Sequence, residues 1–298
     1  MNGSNFDGFK TAVRNGVENF LGDQLARASS PMNSLLNRSA WYVVQGGHRW
    51  RAMLAIAAGL VFEGDAQARC LPVAVAVELA HAASLVLDDL PSMDDAQLRR
   101  GRPCVHLTFA ASPWAVDMLP LYMVNLAYGI ALGNERAPYE ARVKSALIMS
   151  RTSLAMIYGQ ELDVTQAAVT GGALEAGLLR CYESKSAALY GAAAEAGAIT
   201  CGADSSTARL FADVGHDIGL AYQFMDDVCD VVASSAESGK DSAQDAGCKV
   251  TAVDLFGVGG ARERAEAYQE RALQNLSSFG GAAETLREIA RNASWAPA

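Results

Sequence analysis

Long apolar stretches separated by short polar punctuation run through most of the 298-residue chain. Segments such as LPVAVAVELAHAASLVL are too long for a β-strand. Alanine and leucine, which favour helix, dominate them, and valine and isoleucine do not alternate with polar residues as they do in strands. Pairs such as Gly64-Asp65 and Gly133-Asn134 punctuate the segments. The pattern predicts helices at 4–28, 35–61, 71–89, 114–132, 139–165, 177–200, 205–232, 261–275 and 282–290.

Several of these predicted helices are apolar on nearly every side, which is typical of helices buried inside a large bundle. The chain shows no internal repeat, no low-complexity tract and no long linker. We therefore predict one all-α domain over residues 1–298, built as a helical bundle.

The composition excludes several classes of protein. Hydrophobic residues make up 51% of the chain and charged residues 19%, which is the reverse of a disordered segment. Asp and Glu exceed Lys and Arg by 33 to 24, a formal charge of −9. We expect no nucleic acid as a main partner, because contacts to its phosphates need clustered cations.

The cysteines and the N-terminus predict the compartment. The six cysteines form no CxxC pair, which favours reduced thiols in a cytosolic protein. The N-terminus lacks a basic start followed by an apolar run, and no uninterrupted apolar stretch reaches the roughly 18–20 residues of a membrane helix. We expect a cytoplasmic protein that is not integral to a membrane.

Two aspartate clusters carry the candidate chemistry. The first, DDLPSMDD from Asp88 to Asp95, ends an apolar helix. Its four carboxylates repel one another unless cations bridge them, and hard oxygen ligands suit Mg²⁺ or Ca²⁺. A solvated, capped helix end is the plainer alternative and stays open. An EF-hand loop is excluded, because its sixth and twelfth positions would be Met93 and Arg99 instead of Gly and Glu.

The second cluster, DDVCD from Asp226 to Asp230, follows the apolar stretch IGLAYQFM. On a helix Asp226 and Asp230 are four residues apart and share a face, which Gln223 joins. Carboxylates on a buried helix are costly unless they are paired or bound to metal. Two such clusters, far apart in sequence, indicate a metal site held between facing helices.

Cationic side chains stand near both clusters. Mg²⁺ held by one or two carboxylates keeps positions open for phosphate oxygens. Arginine pairs bidentately with phosphate, and lysine supplies a point charge. Each cation alone is more often an ordinary surface residue, but together with the aspartates they predict a diphosphate bridged by Mg²⁺. They are Arg49, Arg51, Arg99, Arg100, Lys185, Lys240 and Lys249.

The motifs resemble those of the trans-isoprenyl diphosphate synthases, the polyprenyl synthetase family. HAASLVLDDLPSMDDAQLRRGRP resembles the family's first aspartate-rich region, and YQFMDDVCD resembles its second. GGHRWRAML, GQELD, KSAAL and GKDSAQDAGCKVT resemble the remaining motifs in the family's order, over residues 46–255. The chain is most similar to bacterial geranylgeranyl diphosphate synthases, whose first motif has the same two-residue insertion between its second and third aspartates.

That resemblance implies an all-helical prenyltransferase bundle around a deep central cavity, usually a homodimer. Such an enzyme condenses isopentenyl diphosphate head to tail with an allylic diphosphate (dimethylallyl, geranyl or farnesyl). The reaction passes through a carbocation, releases diphosphate and uses several Mg²⁺ ions, for which Mn²⁺ can substitute. We expect geranylgeranyl diphosphate made from farnesyl diphosphate, with farnesyl diphosphate synthesis as the alternative.

The resemblance also implies roles at matched positions. Residues expected to hold Mg²⁺ are Asp88, Asp89, Asp94, Asp226, Asp227 and Asp230. Residues expected to contact the allylic diphosphate are Arg99, Lys185 and Lys240, with Lys249 behind them. Residues expected to bind isopentenyl diphosphate are His48, Arg51, His81 and Arg100, and Gln160, Asp163, Ser186 and Gln223 would line the reacting region. Those expected to be catalytic are Asp88, Asp89, Arg99, Lys185, Gln223, Asp226 and Lys240.

One motif departs from the family's pattern. The usual GGKRxRP reads GGHRWRA, so His48 replaces a lysine and Ala52 a proline. A neutral imidazole carries no fixed charge. We therefore expect isopentenyl diphosphate to bind more weakly at high pH unless Arg49 and Arg51 compensate.

Product length is expected to depend on bulk beneath the first aspartate cluster. Ala83 and its neighbour Ser84 are small where farnesyl-producing relatives tend to place an aromatic ring, which favours the twenty-carbon product. Met118, Tyr122 or Met123 would form a lower floor, and ordinary core packing stays an equal alternative for each of the three.

Two other functions are weighed against condensation. A class I terpene cyclase pairs DDxxD with N/D-xx-S/T-xxx-E, but the nearest match here, Asp230-x-x-Ala233-x-x-x-Glu237, lacks the hydroxyl. A catalytically silent subunit of a heteromeric synthase loses aspartates, whereas both clusters are intact here.

Overall fold

The computed structural model describes residues 3–27, 34–165, 173–232 and 250–292. Almost all of these residues are helical, which confirms the all-α prediction. The α-helices are α1 (Gly3–Arg27), α2 (Leu35–Val44), α3 (Trp50–Leu60), α4 (Gln67–Asp88), α5 (Val105–Thr108), α6 (Pro113–Leu132), α7 (Tyr139–Thr165), α8 (Ala173–Cys181), α9 (Ala188–Thr200), α10 (Ser205–Val232), α11 (Ala252–Asn275) and α12 (Glu284–Asn292). A π-helical turn, Tyr182–Ala187, joins α8 to α9, and a 3₁₀ segment, Ser277–Ala283, precedes α12.

Two predicted helices are interrupted. The predicted helix at 35–61 is divided into α2 and α3, because Gly46, Gly47 and Arg49 all have positive φ. Left-handed residues end a right-handed helix, and the break turns the GGHR segment into a loop beside the ends of both helices. The predicted helix at 177–200 is divided by the π-helical turn into α8 and α9.

Three predicted helices begin four or more residues earlier than expected, and one of them is α8, which begins at Ala173 instead of residue 177. Helix α4 begins at Gln67 instead of residue 71 and accommodates Pro72 within its early turns. Helix α11 begins at Ala252 instead of residue 261. Thr251 caps α11, because its hydroxyl accepts from the Asp254 amide while Asp254 accepts from the Thr251 amide in return. Gly257 then kinks the helix with a φ of 65°.

Helices α4 and α9 form the centre of the bundle. Helix α4 packs against α1, α3, α6 and α9, and α9 also packs against α7 and α10. Thirteen of the 22 residues of α4 are buried, including an unbroken run from Pro72 to Ala80. A Cβ at Gly197 of α9 would lie 2.0 Å from the Ala55 carbonyl of α3, so these two backbones touch.

A small hairpin, β1 (Leu98–Arg99) and β2 (Arg102–Pro103), follows α4 and was not predicted. Arg100 and Gly101 form its two-residue turn with φ angles of 53° and 69°. Positive φ at both central positions is the geometry of a tight hairpin turn. The hairpin returns the RRGR segment toward the C-terminal end of α4.

Two helices, α4 and α6, are long and apolar enough to cross a bilayer by length and composition alone. Their most apolar windows are 72% and 44% buried inside the protein, respectively. The apolar character of α4 is thus explained by its central position in the bundle. Helix α6 is apolar on an outer face as well.

Candidate active site

The first aspartate cluster lies at the C-terminal end of α4. The helix ends at Asp88, and Asp89 is its C-cap residue. Pro91 has no backbone N–H with which to continue the helix. The chain turns back so that the Asp94 amide donates to the Asp88 carbonyl at 2.9 Å. This turn gathers three carboxylates at one helix end.

Arg99 of the hairpin is paired with the buried carboxylate of Asp89. Its Nε and Nη2 donate to Asp89 Oδ1 at 3.1 and 2.5 Å. Burial, together with the neighbouring Asp89 charge, raises the pKa of the Cys104 thiol to about 12, so this thiol stays protonated. The hairpin thus holds one cation against the first cluster.

The Lys185 ammonium lies between two carboxylates from different helices. Its Nζ is 2.7 Å from Asp163 Oδ2 on α7 and 3.8 Å from Asp88 Oδ1 on α4. Burial raises the pKa of Asp88, and Asp94 adds to this rise while Lys185 opposes it. The site therefore already holds one positive charge between α4 and α7.

Lys185 reaches this position from the π-helical turn. A Cβ at Gly159 of α7 would lie 2.3 Å from the Lys185 backbone nitrogen, so the two backbones touch there. Single π turns inside helices frequently occur at functional sites. The extra residue in the turn and the glycine on α7 together bring Lys185 beside Asp163.

The second aspartate cluster lies near the C-terminal end of α10 and is linked to the same π-helical turn. The Ser186 hydroxyl donates to Gln223 Oε1 at 2.6 Å. Asp226 is half-buried, Asp227 is buried and Asp230 is exposed. Burial raises the pKa of Asp227 to about 6, although its hydrogen-bond donors pull in the other direction.

The residues expected to bind isopentenyl diphosphate surround the break between α2 and α3. The Arg51 guanidinium stacks 4.3 Å from the centre of the Tyr190 ring, and its buried Nε has no hydrogen-bond partner. Burial lowers the pKa of the half-buried His81 strongly, and the charges of Arg51 and Arg100 lower it further. His81 is therefore a neutral imidazole facing two cations.

Arg100 and His48 lie on the solvent side of this group. Arg100 Nη1 donates to the Gln45 carbonyl at 3.2 Å, and its guanidinium lies where a Cβ at Gly47 would meet it at 2.8 Å. A Cβ there would displace the guanidinium, and the φ of 85° at Gly47 also favours glycine. His48 is exposed in the same loop.

The structure brings Gln160 over the first aspartate cluster. Its Nε2 lies 3.7 Å from the Met93 sulfur in the aspartate-rich loop, and its buried Oε1 has no hydrogen-bond partner. Ser84 donates to the His81 carbonyl at 2.9 Å, and Ala83 is buried within α4. Two further predicted residues, Lys240 and Lys249, lie outside the described residues.

Comparison with known proteins assigns the chain to a family. The polyprenyl synthetase model matches residues 33–287. The chain belongs to the polyprenyl synthetase family. Its members are Mg²⁺-dependent prenyltransferases, so the predicted class of enzyme and its metal requirement are confirmed at this level.

The chain is similar to proteins whose names give different prenyl products. It is 33% identical to a chloroplastic geranylgeranyl pyrophosphate synthase of Catharanthus roseus over 80% of this chain and 66% of the relative, just under two thirds of that protein's length. Among solved structures, an FPP/GFPP synthase from Zymomonas mobilis is 28% identical, with a TM-score of 0.85 over 97% of this chain and 99% of that one. A geranyltransferase from Helicobacter pylori, complexed with magnesium and isoprenyl diphosphate, is 26% identical, with a TM-score of 0.78 over 96% of both chains.

The donor set of this polyprenyl synthetase fits Mg²⁺. No three His, Cys, Asp or Glu side chains within the described ranges converge as a ready-made metal cage. Mg²⁺ keeps several waters and binds through one or two carboxylates plus substrate phosphates, so a cage is not required. The Lys185 ammonium between Asp88 and Asp163 also indicates that these carboxylates accommodate a cation.

Sequence reasoning did not identify two supporting pairs of residues. Glu78 accepts from Arg49 and from the Ala52 amide, and this ties α4 to the loop that carries His48. Tyr182 donates to Asp227. A lone glutamate within the apolar run VAVELAH was a usable signal for the first pair. Nothing in the local sequence indicated the contact between Tyr182 and Asp227.

Replacing His48 by Lys is expected to flatten the pH dependence of KM for isopentenyl diphosphate. Partial loss of hydration at this surface loop and then the charges of Arg14 and Arg100 lower the pKa of His48 below its usual 6.5. In the native protein this KM should therefore rise as the pH increases through the lowered pKa, because the imidazole loses its charge. Steady-state kinetics between pH 5.5 and 8.5 checks this. Parallel profiles for the two proteins would show that His48 does not contact the diphosphate.

Proposed function

We propose that this polyprenyl synthetase makes geranylgeranyl diphosphate from farnesyl and isopentenyl diphosphates. The observation that carries the proposal is the meeting of the two motif-bearing regions. Lys185 bridges Asp88 and Asp163, while its neighbour Ser186 is bonded to Gln223 beside the second cluster. Such a site can hold a metal-bridged diphosphate between α4 and α10.

The proposed division of labour follows from charge and position. Asp88, Asp89 and Asp94 on one side, with Asp226 and Asp230 on the other, hold several Mg²⁺ ions, for which Mn²⁺ can substitute. When bound, Mg²⁺ neutralises the diphosphate so that it becomes a good leaving group. Residues that bind the same diphosphate directly are Arg99, Lys185 and Lys240, with Lys249 behind Lys240.

The second substrate occupies the other side of Arg99. His48, Arg51, His81 and Arg100 bind isopentenyl diphosphate, and the buried Nε of Arg51 has no protein acceptor. A neutral His81 donates a hydrogen bond without adding to the crowded positive charge. Gln160, Asp163, Ser186 and Gln223 line the space between the two diphosphates.

The chemistry needs a dry site. As the allylic C–O bond breaks, a carbocation forms, and water would quench it. The apolar walls of α4 and its neighbours exclude water while the double bond of isopentenyl diphosphate attacks. One proton is then lost, and the freed diphosphate accepts it, because no side chain among the described residues is placed as an evident base. The product is longer by five carbons.

Replacing Tyr122 by Ala is expected to lengthen the product. Asn134 at the end of α6 donates to the Arg69 carbonyl at the start of α4, so the two helices run antiparallel. Residues later in α6 therefore lie further from Asp88. Tyr122 is half-buried and its hydroxyl donates to Asn37, which fixes the ring. Product analysis by mass spectrometry should show chains beyond twenty carbons.

Met118 provides the matched comparison for this experiment. Met118 is 45% exposed on the outer side of α6 of its own protomer. Met118→Ala should therefore leave the length of the product unchanged. An unchanged profile for Tyr122→Ala would remove that ring as the floor. Ala83 and Ser84 remain the small residues expected to let the chain pass.

The allylic starters that the enzyme accepts distinguish synthesis of a twenty-carbon product from synthesis of a fifteen-carbon product. Known relatives include both types, so farnesyl diphosphate synthesis is an equally supported alternative. Incubation with dimethylallyl, geranyl or farnesyl diphosphate, each with labelled isopentenyl diphosphate, tests the proposal. We expect the twenty-carbon product from farnesyl diphosphate. Accumulation of farnesyl diphosphate without further extension would support the alternative.

We also propose that the protein is a homodimer formed through α6 and α7. These neighbouring helices expose large apolar residues, and a contiguous apolar surface of this kind usually marks an interface. They are Trp114, Met118, Leu121, Leu132, Leu147, Leu154, Ile157 and Tyr158. Light scattering should give twice the chain mass of 31.4 kDa. A monomeric mass at micromolar concentration would reject the dimer.

We also propose that the protein is located in the cytoplasm. Cys70, Cys104 and Cys201 are buried free thiols, as expected for a reducing compartment. Cell fractionation would test it, and recovery in a detergent-dependent membrane fraction would contradict it.

A further inference from the structure

The second carboxylate of the second cluster is surrounded by protein donors. Asp227 Oδ2 accepts from the Tyr182 hydroxyl and from the Ala252 amide at 2.7 Å. Its Oδ1 accepts from Gln223 Nε2 at 3.1 Å. The residue is only 9% exposed. A carboxylate has about four lone-pair sites, and three of them are directed at protein here.

These donors come from three separate segments. Tyr182 begins the π-helical turn that carries Lys185, Gln223 lies one turn earlier on α10, and Ala252 is the first residue of α11. Asp227 is therefore the point where the turn, α10 and the start of α11 are joined. Gln223 in turn accepts from Ser186, so the π-helical turn is held at both of its ends.

The joint supports a backbone conformation that is uncommon in proteins. Runs of π-helix are rare and persist where the surroundings determine them. Tyr182 packs its ring edge against Phe224 at 5.5 Å between centroids, which brings its hydroxyl to Asp227. Three residues further along the same turn, the Lys185 ammonium meets Asp163 and Asp88.

We propose that Asp227 is a positioning residue and not a direct Mg²⁺ ligand. Together with Tyr182 it holds the π-helical turn so that Lys185 faces Asp88, and it anchors the first turn of α11. Asp226 and Asp230, on the more exposed side of α10, remain the metal ligands of the second cluster. This inference rests on the proposed function and changes the role that the family motif implies for one of its aspartates.

The test separates metal binding from positioning with single-atom changes. Tyr182→Phe removes one donor to Asp227 and touches no acidic residue, while Asp227→Asn keeps the shape of the side chain. Asp226→Asn serves as the reference for loss of a metal ligand. Tyr128→Phe is the matched control, because it removes a tyrosine hydrogen bond, to Ser153 at 3.0 Å, between α6 and α7.

Positioning predicts a specific pattern in the kinetics. Tyr182→Phe and Asp227→Asn should each lower kcat by about 10-fold or more, as supporting residues around metal sites do. Their half-saturating Mg²⁺ concentrations should stay near the native value, whereas that of Asp226→Asn should rise. Tyr128→Phe should keep native kcat. The double variant should be no slower than its slower parent, because both changes break one unit.

Two results would overturn the inference. One is a half-saturating Mg²⁺ concentration for Asp227→Asn that rises as much as for Asp226→Asn, which makes Asp227 a metal ligand. The other is native kcat for Tyr182→Phe.

Hydrogen exchange at the Ala252 amide supplies a readout independent of catalysis, and it should become faster in both network variants. If the native protein made no prenyl product, the proposed function would be wrong. The exchange rate of the Ala252 amide would still show whether Asp227 and Tyr182 anchor the start of α11.

Discussion

Replacing Asp88 by Asn is expected to lower kcat/KM for condensation by about 10²–10³-fold, the cost of losing one preorganised charge at a developing anion. The Asp88 carboxylate is 14% exposed, lies 3.8 Å from Lys185 and ends the central helix α4. Its neutral amide would hold Mg²⁺ weakly and would remove the carboxylate charge 3.8 Å from the Lys185 ammonium. Steady-state assays of diphosphate release with both substrates would measure the loss.

Asp95→Asn is the matched control for that experiment. It makes the same chemical change in the same loop, at an exposed position with a φ of 47° that asparagine tolerates well. It should leave kcat/KM within about threefold, in line with the small effects of surface changes. If both variants lost kcat/KM equally, activity would depend on the total charge of the loop and not on the Asp88 carboxylate itself.

Replacing Glu78 by Gln is expected to destabilise the fold by about 3–5 kcal/mol, because it leaves a buried cation without its partner. Glu78 is 4% exposed and Arg49 is 5% exposed. Arg49 Nη1 donates to Glu78 Oε2 at 3.2 Å, while Oε1 accepts the Ala52 amide at 3.0 Å. Glutamine keeps the second bond and removes the charge, so the loss reports on the ion pair.

Urea unfolding at one fixed protein concentration measures this effect. Glu175→Gln is the control, because it breaks an exposed pair with Arg264 at 3.0 Å and should cost under about 1 kcal/mol. A Glu78→Gln protein as stable as that control would show that the buried pair does not support the fold. The loop carrying His48 should also lose order, because Arg49 fixes it.

The helices that sequence patterning predicted best are those with long uninterrupted apolar runs. The ends of α7 and α10 agree with prediction at 139–165 and 205–232. The missed break at GGHR has a physical reason. Arg49 adopts left-handed backbone, which a non-glycine residue rarely does, and the partner that stabilises it, Glu78, lies 29 residues away. Local patterning contains no such information.

The late prediction for α11 was avoidable. The string TAVD carries a capping-box signal in which Thr251 and Asp254 bond each other's backbone. The glycines at 257, 259 and 260 precede the predicted start at residue 261, yet only Gly257 leaves the helical conformation. The cap at Thr251 determines where the helix begins.

The active site also contains features that the sequence predicted and features that it did not. The aspartates and arginines were identified because motif order carries them, and their spacing in sequence is preserved whatever the fold. The contact of Lys185 with Asp163, the burial of Asp227 and the partnership of Tyr182 with it are long-range. They depend on the π-helical turn and on Gly159, whose close approach to Lys185 appears only once α7 and α9 are packed.

The most direct test of the proposed activity is a stoichiometric assay of the native protein with farnesyl diphosphate, labelled isopentenyl diphosphate and Mg²⁺. Prenyl condensation predicts one diphosphate released for each isopentenyl unit incorporated into a twenty-carbon product, and no release when isopentenyl diphosphate or Mg²⁺ is omitted. Diphosphate release from farnesyl diphosphate alone, with a cyclic hydrocarbon as product, would contradict it and indicate a cyclase. No release under any condition would indicate a silent subunit.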